Sequence, residues 1–332
     1  MIEKFKKIKK QVFEVEKEAD FENLALEIFD IQYNNVDVYK QYCNLIHRTP
    51  DTVKTLYDIP FMPVDFFRTH RVSITKEPAS LVFSSSGTTG SSTSHHEVPD
   101  PAIYDESLLK GFEKFYGKVD DYCILALLPS YLEREGSSLI YMAEKLIKLS
   151  RHHESGFYLY DYERLAKTLK SLKDNGTKTI LIGVTYALLD LATDYPIDFP
   201  DLIIMETGGM KGKRKEMVRE EVHKILTDAF HCPSIHSEYG MTELLSQAYS
   251  SGKGIYNPVP WMKILIRETE DPLSLAKCGI TGGINVIDLA NLYSCSFVAV
   301  QDLGRLHDDG SFEVLGRFDN SLIRGCNLLV YN

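Results

Sequence analysis

The sequence predicts an α/β protein, with a mostly parallel sheet flanked by helices and joined to a smaller β-rich unit. Two observations carry this. Between residues 121 and 250, short apolar runs alternate with longer stretches of helical periodicity, as in a parallel sheet with crossover helices. Beyond Lys253 the helical patterns stop, and short β-rich runs with Gly and Asp turns take over. A third observation marks a ligand site. Ser84–Ser92 contain only Ser, Thr and Gly, and the apolar Leu81, Val82 and Phe83 lead into them.

Residues 1–50 read as helical. The basic "MIEKFKKIKK" starts an amphipathic helix with a solvated face, and "FENLALEIFDIQYNN" sets Phe21, Leu24, Ala25, Ile28 and Phe29 on one side. In "DIPFMPVDFF", Pro60 and Pro63 oppose regular structure. "YCILALLP" is a buried strand, and "SSLIYMAEKLIKLS" a helix capped by Ser137 or Ser138. A short "GFYLY" strand precedes the helix "DYERLAKTLKSLKDNG", which Gly176 closes. "TKTILIGV", "DLIIMETGG" and "PSIHSEYG" are strands, separated by the helices "YALLDLATD" and "KRKEMVREEVHKILTDAF". "MKILIRE", "GGINVIDLA", "SFVAVQD" and "SFEVLGR" supply the β-rich end. The expected organisation is a helical segment over 1–78 packed on the core, an α/β unit over 79–250 and a β-rich unit over 251–332.

The chain has 332 residues, 44% hydrophobic and 25% charged, enough for a sizeable core. A net charge of −10 argues against nucleic acid or an anionic membrane as a bulk partner. No apolar run approaches a membrane span, and the N-terminus lacks an apolar signal core, so a cytoplasmic location is expected. The six cysteines (Cys43, Cys123, Cys232, Cys278, Cys295, Cys326) show neither C-x-x-C nor zinc spacing and are expected to be free thiols. "HCPSIH" holds metal-ligand types without a partner at sensible spacing.

A loop without side-chain bulk lets a phosphate approach, with backbone N–H groups and hydroxyls as donors. In open parallel sheets such loops lie outside the carboxyl ends of strands. A flexible Ser/Gly linker is the competing reading. The nucleotide P-loop and the dinucleotide G-x-G-x-x-G are both missing, so a nucleotide would bind by another scheme. No G-x-S-x-G elbow of a serine hydrolase occurs.

Four ordered segments resemble the adenylate-forming enzymes. "SSSGTTG" (Ser84–Gly90) is similar to their signature loop, "EYGMTE" (Glu238–Glu243) to their Y-G-x-T-E motif, and "VQDLGRL" (Val300–Leu306) to T-G-D-x-G-R. "GRFDNSLIRGCNLL" (Gly316–Leu329) resembles their hinge motif, one residue short. "TGGM" (Thr207–Met210) sits where the family keeps a glycine-rich strand end. "IPFMPVDFF", "SSSGTTGSSTSHH", "LLPSYLEREGSSLIYM" and "IRGCNLL" narrow the resemblance to the LuxE-type acyl-protein synthetases, over about residues 55–332. Residues 1–50 carry none of these signatures. The large-domain fold of adenylate-forming enzymes, without their C-terminal lid domain, is therefore expected.

The resemblance implies ATP-dependent activation of a fatty or related carboxylic acid, then transfer of the acyl group to a protein cysteine and on to an acceptor protein. It implies that Ser84, Ser85, Ser86, Gly87, Thr88, Thr89 and Gly90 hold phosphate. Thr242 would bond the α-phosphate and Glu243 would hold Mg²⁺. Tyr239, Gly240, Gly208 and Gly209 would line the adenine, while Asp302 would take the ribose hydroxyls and Arg317 ribose or phosphate. Cys326 would carry the acyl group, its thiol acidified by Arg324 and Arg317. The other five cysteines are expected to be small buried hydrophobes. Arg134 and Ser137 lie where a substrate carboxylate could enter. Each residue also has a plainer reading: a helix-dipole carboxylate before "ELLSQAYS" for Glu243, core packing for Tyr239, a turn for Asp302, a surface ion pair for Arg317. His95 and His96 are expected on the phosphate side or in a structural role. Two departures stand out: the loop lacks the family's following lysine, and the hinge lysine is at best Arg324. An acyl-CoA ligase and a catalytically weak binding subunit are the alternatives.

Overall fold

The computed structural model describes residues 2–85, 93–129, 136–159, 161–208 and 217–318. Helices α1 (Ile2–Val12), α2 (Glu18–Asn35) and α3 (Asp37–Leu45) form the N-terminal segment. The five apolar residues expected on one face of α2 are all buried. Strand β1 (Met62–Pro63) and the short α4 (Phe66–Thr69) follow, then β2 (Leu81–Ser84), β3 (His95–Val98) and α5 (Pro101–Tyr116). The alternating region gives β4 (Cys123–Leu127), α6 (Ser138–Leu149), β5 (Gly156–Phe157), α7 (Tyr162–Asp174), β6 (Thr179–Gly183), α8 (Thr185–Asp194), β7 (Ile203–Glu206), α9 (Arg219–Phe230) and β8 (His236–Tyr239). The β-rich end gives β9 (Ala248–Ser250), β10 (Ile255–Pro258), β11 (Met262–Arg267), β12 (Thr281–Asp288), β13 (Phe297–Leu306) and β14 (Phe312–Arg317).

All of these strands except β2 and β3 form one mixed sheet in the order β11-β12-β13-β14-β10-β9-β8-β7-β6-β4-β5, with β1 beside β13. From β5 to β8 every pairing is parallel; from β8 to β9 it turns antiparallel. All five residues of β4 and of β6 are buried, as strands covered on both faces require. Two of the crossover helices, α6 and α7, start on side-chain caps. Ser137 Oγ accepts from Ile140 N at 3.4 Å, and Asp161 Oδ1 accepts from Arg164 N at 3.0 Å. Gly176 follows α7 at φ +66°, a conformation that favours glycine.

Two expectations change. The Ser/Thr/Gly loop does not leave a strand of the large sheet. It connects β2 and β3, which pair antiparallel in a separate two-stranded ribbon. Pro63 does not prevent regular structure. It sits in β1, paired parallel to Ala299, and the next amide, Val64 N, donates to Ala299 O at 3.0 Å, so the missing proline N–H is not needed.

The N-terminal segment is tied to the β-rich end by one buried side chain. Gln32 donates to Asn291 O at 2.9 Å and Ser296 Oγ at 3.1 Å, and accepts from Ser296 N at 2.9 Å. The 291–296 turn so held reaches the ribbon through Ser294 Oγ, 2.8 Å from His96 Nε2. The other ring nitrogen of His96 lies 2.8 Å from Thr242 O. Burial pushes the His96 pKa down to about 4.

This gives an expected pH dependence. The unfolded chain takes up a proton at His96 near the usual 6.5, the folded chain only near 4, so stability is lost as pH falls through that window. The stability advantage of wild type over His96→Gln should shrink by up to ~3 kcal/mol between pH 7 and pH 4. Urea denaturation across that range measures it; a constant difference would refute it.

Candidate active site

The segment between β8 and β9 carries Met241, Thr242 and Glu243 and continues as turn and irregular chain to Gln247. It is not a helix, so Glu243 has no helix dipole to complement. Buried side chains hold the segment instead. Asp288 accepts from Leu245 N at 2.8 Å, Ser246 N at 2.9 Å, Ser246 Oγ at 2.6 Å and Ala290 N at 3.1 Å. Asn291 Nδ2 donates to Glu243 O at 2.8 Å. Desolvation raises the Asp288 pKa to about 6 against these bonds, which lower it.

The described parts of the four resembling segments, or their flanking residues, approach one another here. Ser94, just before β3, hydrogen-bonds the Glu243 carboxylate, and Ser94 N donates to Ser85 Oγ at 2.9 Å. Burial raises the Glu243 pKa, while the Ser94 bond, its own backbone, Arg68 and Arg317 lower it. Tyr239 OH donates to Asp302 Oδ2 at 2.9 Å, and Arg317 Nε donates to Asp302 Oδ1 at 3.0 Å. Asp302 is 6% exposed, and the Arg317 side chain 76%. Bonds of the folded chain thus link loop flank to Glu243 and Tyr239 to Asp302 to Arg317.

The remaining expected residues are placed as follows. Ser84 N donates to Gly136 O at 2.7 Å, which sets the loop's first residue beside the start of α6. Ser137 caps that helix. Gly208 follows β7 at φ +77° and donates its N–H to Glu206 Oε1 at 2.8 Å. Gly240 directly follows β8. Ser86, Gly87, Thr88, Thr89, Gly90, Arg134, Gly209, Arg324 and Cys326 lie outside the described residues. Tyr239 also packs in the core, edge to face on Phe312 at 5.5 Å. His96 takes the structural role, and His95 is exposed, 3.0 Å from Thr93 Oγ1. Cys43, Cys123, Cys232 and Cys295 are buried as expected. Cys278 is not. It is exposed, because its turn lies at the solvent edge of β12 and β13, where Sγ donates to Leu306 O at 3.1 Å.

The positioning residues Asp288, Asn291, Ser294 and Gln32 escaped the sequence reading, since none belongs to a recognisable motif. A faint signal existed: "VIDLANLYSCS" (residues 286–296) sets Asp288 and Asn291 in an otherwise apolar run.

The fold is that of the adenylate-forming enzymes. Solved structures similar to the chain include 2-hydroxyisobutyryl-CoA ligase in complex with 2-HIB-AMP and CoA (TM-score 0.67, 14% identity, covering 92% of this chain and 70% of that one). ATP-bound MatB from Rhodopseudomonas palustris is also similar (TM-score 0.54, 15% identity, 71% and 47%), as is the luciferase-like enzyme of the mealworm Zophobas morio (TM-score 0.52, 16% identity, 74% and 59%). The chain spans about half the length of MatB. No curated protein matches it. Within the class, the chain belongs to the LuxE family of acyl-protein synthetases, whose model matches residues 10–332. The match therefore takes in most of the N-terminal helical segment, which the sequence resemblance had left out.

The ribose role expected for Asp302 is tested by Asp302→Asn, which on that role should weaken nucleotide binding ~10-fold or more, because the amide cannot accept from ribose, Tyr239 and Arg317 together. Its thermal midpoint should fall only slightly, since the ion pair is with an exposed arginine. Calorimetric titration with ATP or AMP and a melting curve separate the two effects.

Proposed function

We propose that the protein uses ATP to convert a carboxylic acid to its acyl-adenylate and passes the acyl group to a thiol, that of Cys326, for delivery to an acceptor protein. The observation that supports this best is that two bonded sets, loop flank with Thr242–Glu243 and Tyr239 with Asp302 and Arg317, share the stretch from Tyr239 to Glu243. Membership of the LuxE family points the same way.

The reaction asks for alignment and charge neutralisation more than for covalent help. An oxygen of the substrate carboxylate attacks the α-phosphorus; the bond to the bridging oxygen breaks, and pyrophosphate leaves with its electron pair. Ser84–Gly90 and Thr242 donate to the phosphates. Asp302 spends one bond on Tyr239 and one on Arg317, and a carboxylate retains further lone pairs for the ribose hydroxyls. The second step has the deprotonated sulfur of Cys326 attack the acyl carbon, with AMP as the leaving group.

Mg²⁺ suits this site in one way only. Among the described residues no group of three or more His, Cys, Asp or Glu could hold a metal. Glu243 is a single carboxylate, which fits an ion that completes its shell with phosphate oxygens and water. When bound, Mg²⁺ neutralises charge on the phosphates.

Intact-mass spectrometry after incubation with ATP and a panel of acids tests the reading. An acyl adduct should appear on wild type and vanish in Cys326→Ser, while pyrophosphate exchange persists. Adduct retained in that variant removes the cysteine assignment; thioester formed only on added coenzyme A favours a ligase. Glu243→Ala should lower pyrophosphate exchange ~100-fold; unchanged exchange would remove the metal assignment.

A further inference from the structure

Strand β8 has two faces. Tyr239 points toward Asp302, and its neighbour Glu238 points to the opposite side. There Glu238 stands opposite Tyr249 of β9 in the antiparallel register. Burial pushes its carboxyl up to about 8, and it makes no hydrogen bond to any described residue. The Tyr116 ring meets that of Tyr249 edge to face at 5.5 Å, and the charge of Glu238 adds to burial in raising the phenols of Tyr104, Tyr116 and Tyr249.

Two further polar groups on this face lack partners. Gln247 is 4% exposed; its Nε2 lies 3.5 Å from Tyr104 OH, and its Oε1 has no partner among the described residues. Tyr249 is 2% exposed, and its hydroxyl is likewise unpartnered. The carboxyl of Glu238 folds back over Gly240. A Cβ at Gly240 would strike Glu238 Oε1 and come 3.5 Å from Gln247 Cγ. The group therefore sits two residues from Thr242, close to where the acid's carboxylate must react.

Leaving a buried donor or acceptor bare is unfavourable, and native structures rarely tolerate it without a reason. An aliphatic tail would seal two such groups, Gln247 Oε1 and Tyr249 OH, together with the half-buried Glu238 carboxyl, against methylenes. Gln247 Oε1 and an oxygen of Glu238 accept, while Tyr249 OH and the protonated Glu238 carboxyl can donate, so a fitting ligand brings a donor and can also accept, as a hydroxyl does; an ammonium group pairs with Glu238 once its proton is given up.

We propose that Glu238, Gln247 and Tyr249 form the recognition end of the acid site, and that the acid carries a hydroxyl or ammonium group within a few carbons of its carboxylate. This rests on the acid-activation reading above and narrows it from carboxylic acids at large, the fatty acids among them, to short acids with a hydrogen-bond donor.

The full chain is assayed for pyrophosphate exchange with 3-hydroxybutyrate, β-alanine, butyrate and tetradecanoate. The hydroxy or the amino acid should exceed butyrate ~10- to 100-fold in kcat/KM, with tetradecanoate lowest. Glu238→Leu and the conservative Tyr249→Phe should each cut that ratio ~10-fold. Glu238→Gln separates the two donors: it keeps a hydroxy-acid preference and loses an ammonium preference. Exchange that favours butyrate or tetradecanoate, or a ratio unmoved in Glu238→Leu, overturns the inference while leaving acid activation intact. Exchange with no acid at all refutes the activation reading instead. In that case thermal shifts decide the inference: the same ranking of acids, lost in Tyr249→Phe, upholds it, and a flat ranking overturns it.

Discussion

The site depends on satisfying the backbone of one irregular segment. Residues 241–247 run between β8 and β9 without helix or strand of their own, and Glu243 to Gln247 are buried. Peptide groups there have no ladder to join and no water to fall back on. Asp288, Asn291 and His96 supply the missing partners from three directions. Thr242 and Glu243 keep one fixed position relative to the Ser/Thr/Gly loop because His96, on the loop's exit strand, bonds the carbonyl of Thr242 itself.

That arrangement extends to the N-terminus. Gln32 on α2 holds the 291–296 turn, and that turn offers Asn291 and Ser294 to the segment and to His96. Trp261 adds a tie from the antiparallel side, donating to Ser107 Oγ at 2.9 Å and Ser246 Oγ at 3.0 Å. A helical segment without any catalytic signature is thus structurally continuous with the reactive residues. Buried polar networks of this kind reward complete satisfaction and penalise any missing member, so they favour a single arrangement.

The position of β8 explains why chemistry gathers there. It is the last parallel strand, and its other neighbour is antiparallel, so the sheet changes character along it. One face of β8 looks to Asp302 and Arg317 across the β-rich strands. The other looks to Tyr249 on β9 and Tyr116 on α5, with Tyr104 of α5 reaching Gln247 just beyond. The strand thus carries a bonded Tyr239–Asp302–Arg317 set on one face and unpartnered polar groups beside the other, which is the arrangement the proposed two-substrate reaction calls for.

Most of the fold was legible in the sequence, because periodicity is a local property. Cys123–Leu127 and Thr179–Gly183 read as buried strands, and Ser137, Asp161 and Gly176 mark helix ends where the chain itself turns. The four resembling segments could be found for the same reason, each being contiguous. What they touch was not legible. That the Ser/Thr/Gly loop caps a separate two-stranded ribbon, that Tyr239 and Arg317 share Asp302, and that Cys278 faces solvent all follow from pairings between residues far apart in the chain. Asp288, Asn291 and Gln32 have no local pattern, since their partners are backbone groups of a distant segment. The sequence by itself determined the elements and the chemical parts. Only the tertiary structure decided which buried acceptors are filled by the chain, as in Asp288, and which stand open, as in Gln247, because hydrogen-bond satisfaction is a property of neighbours in space.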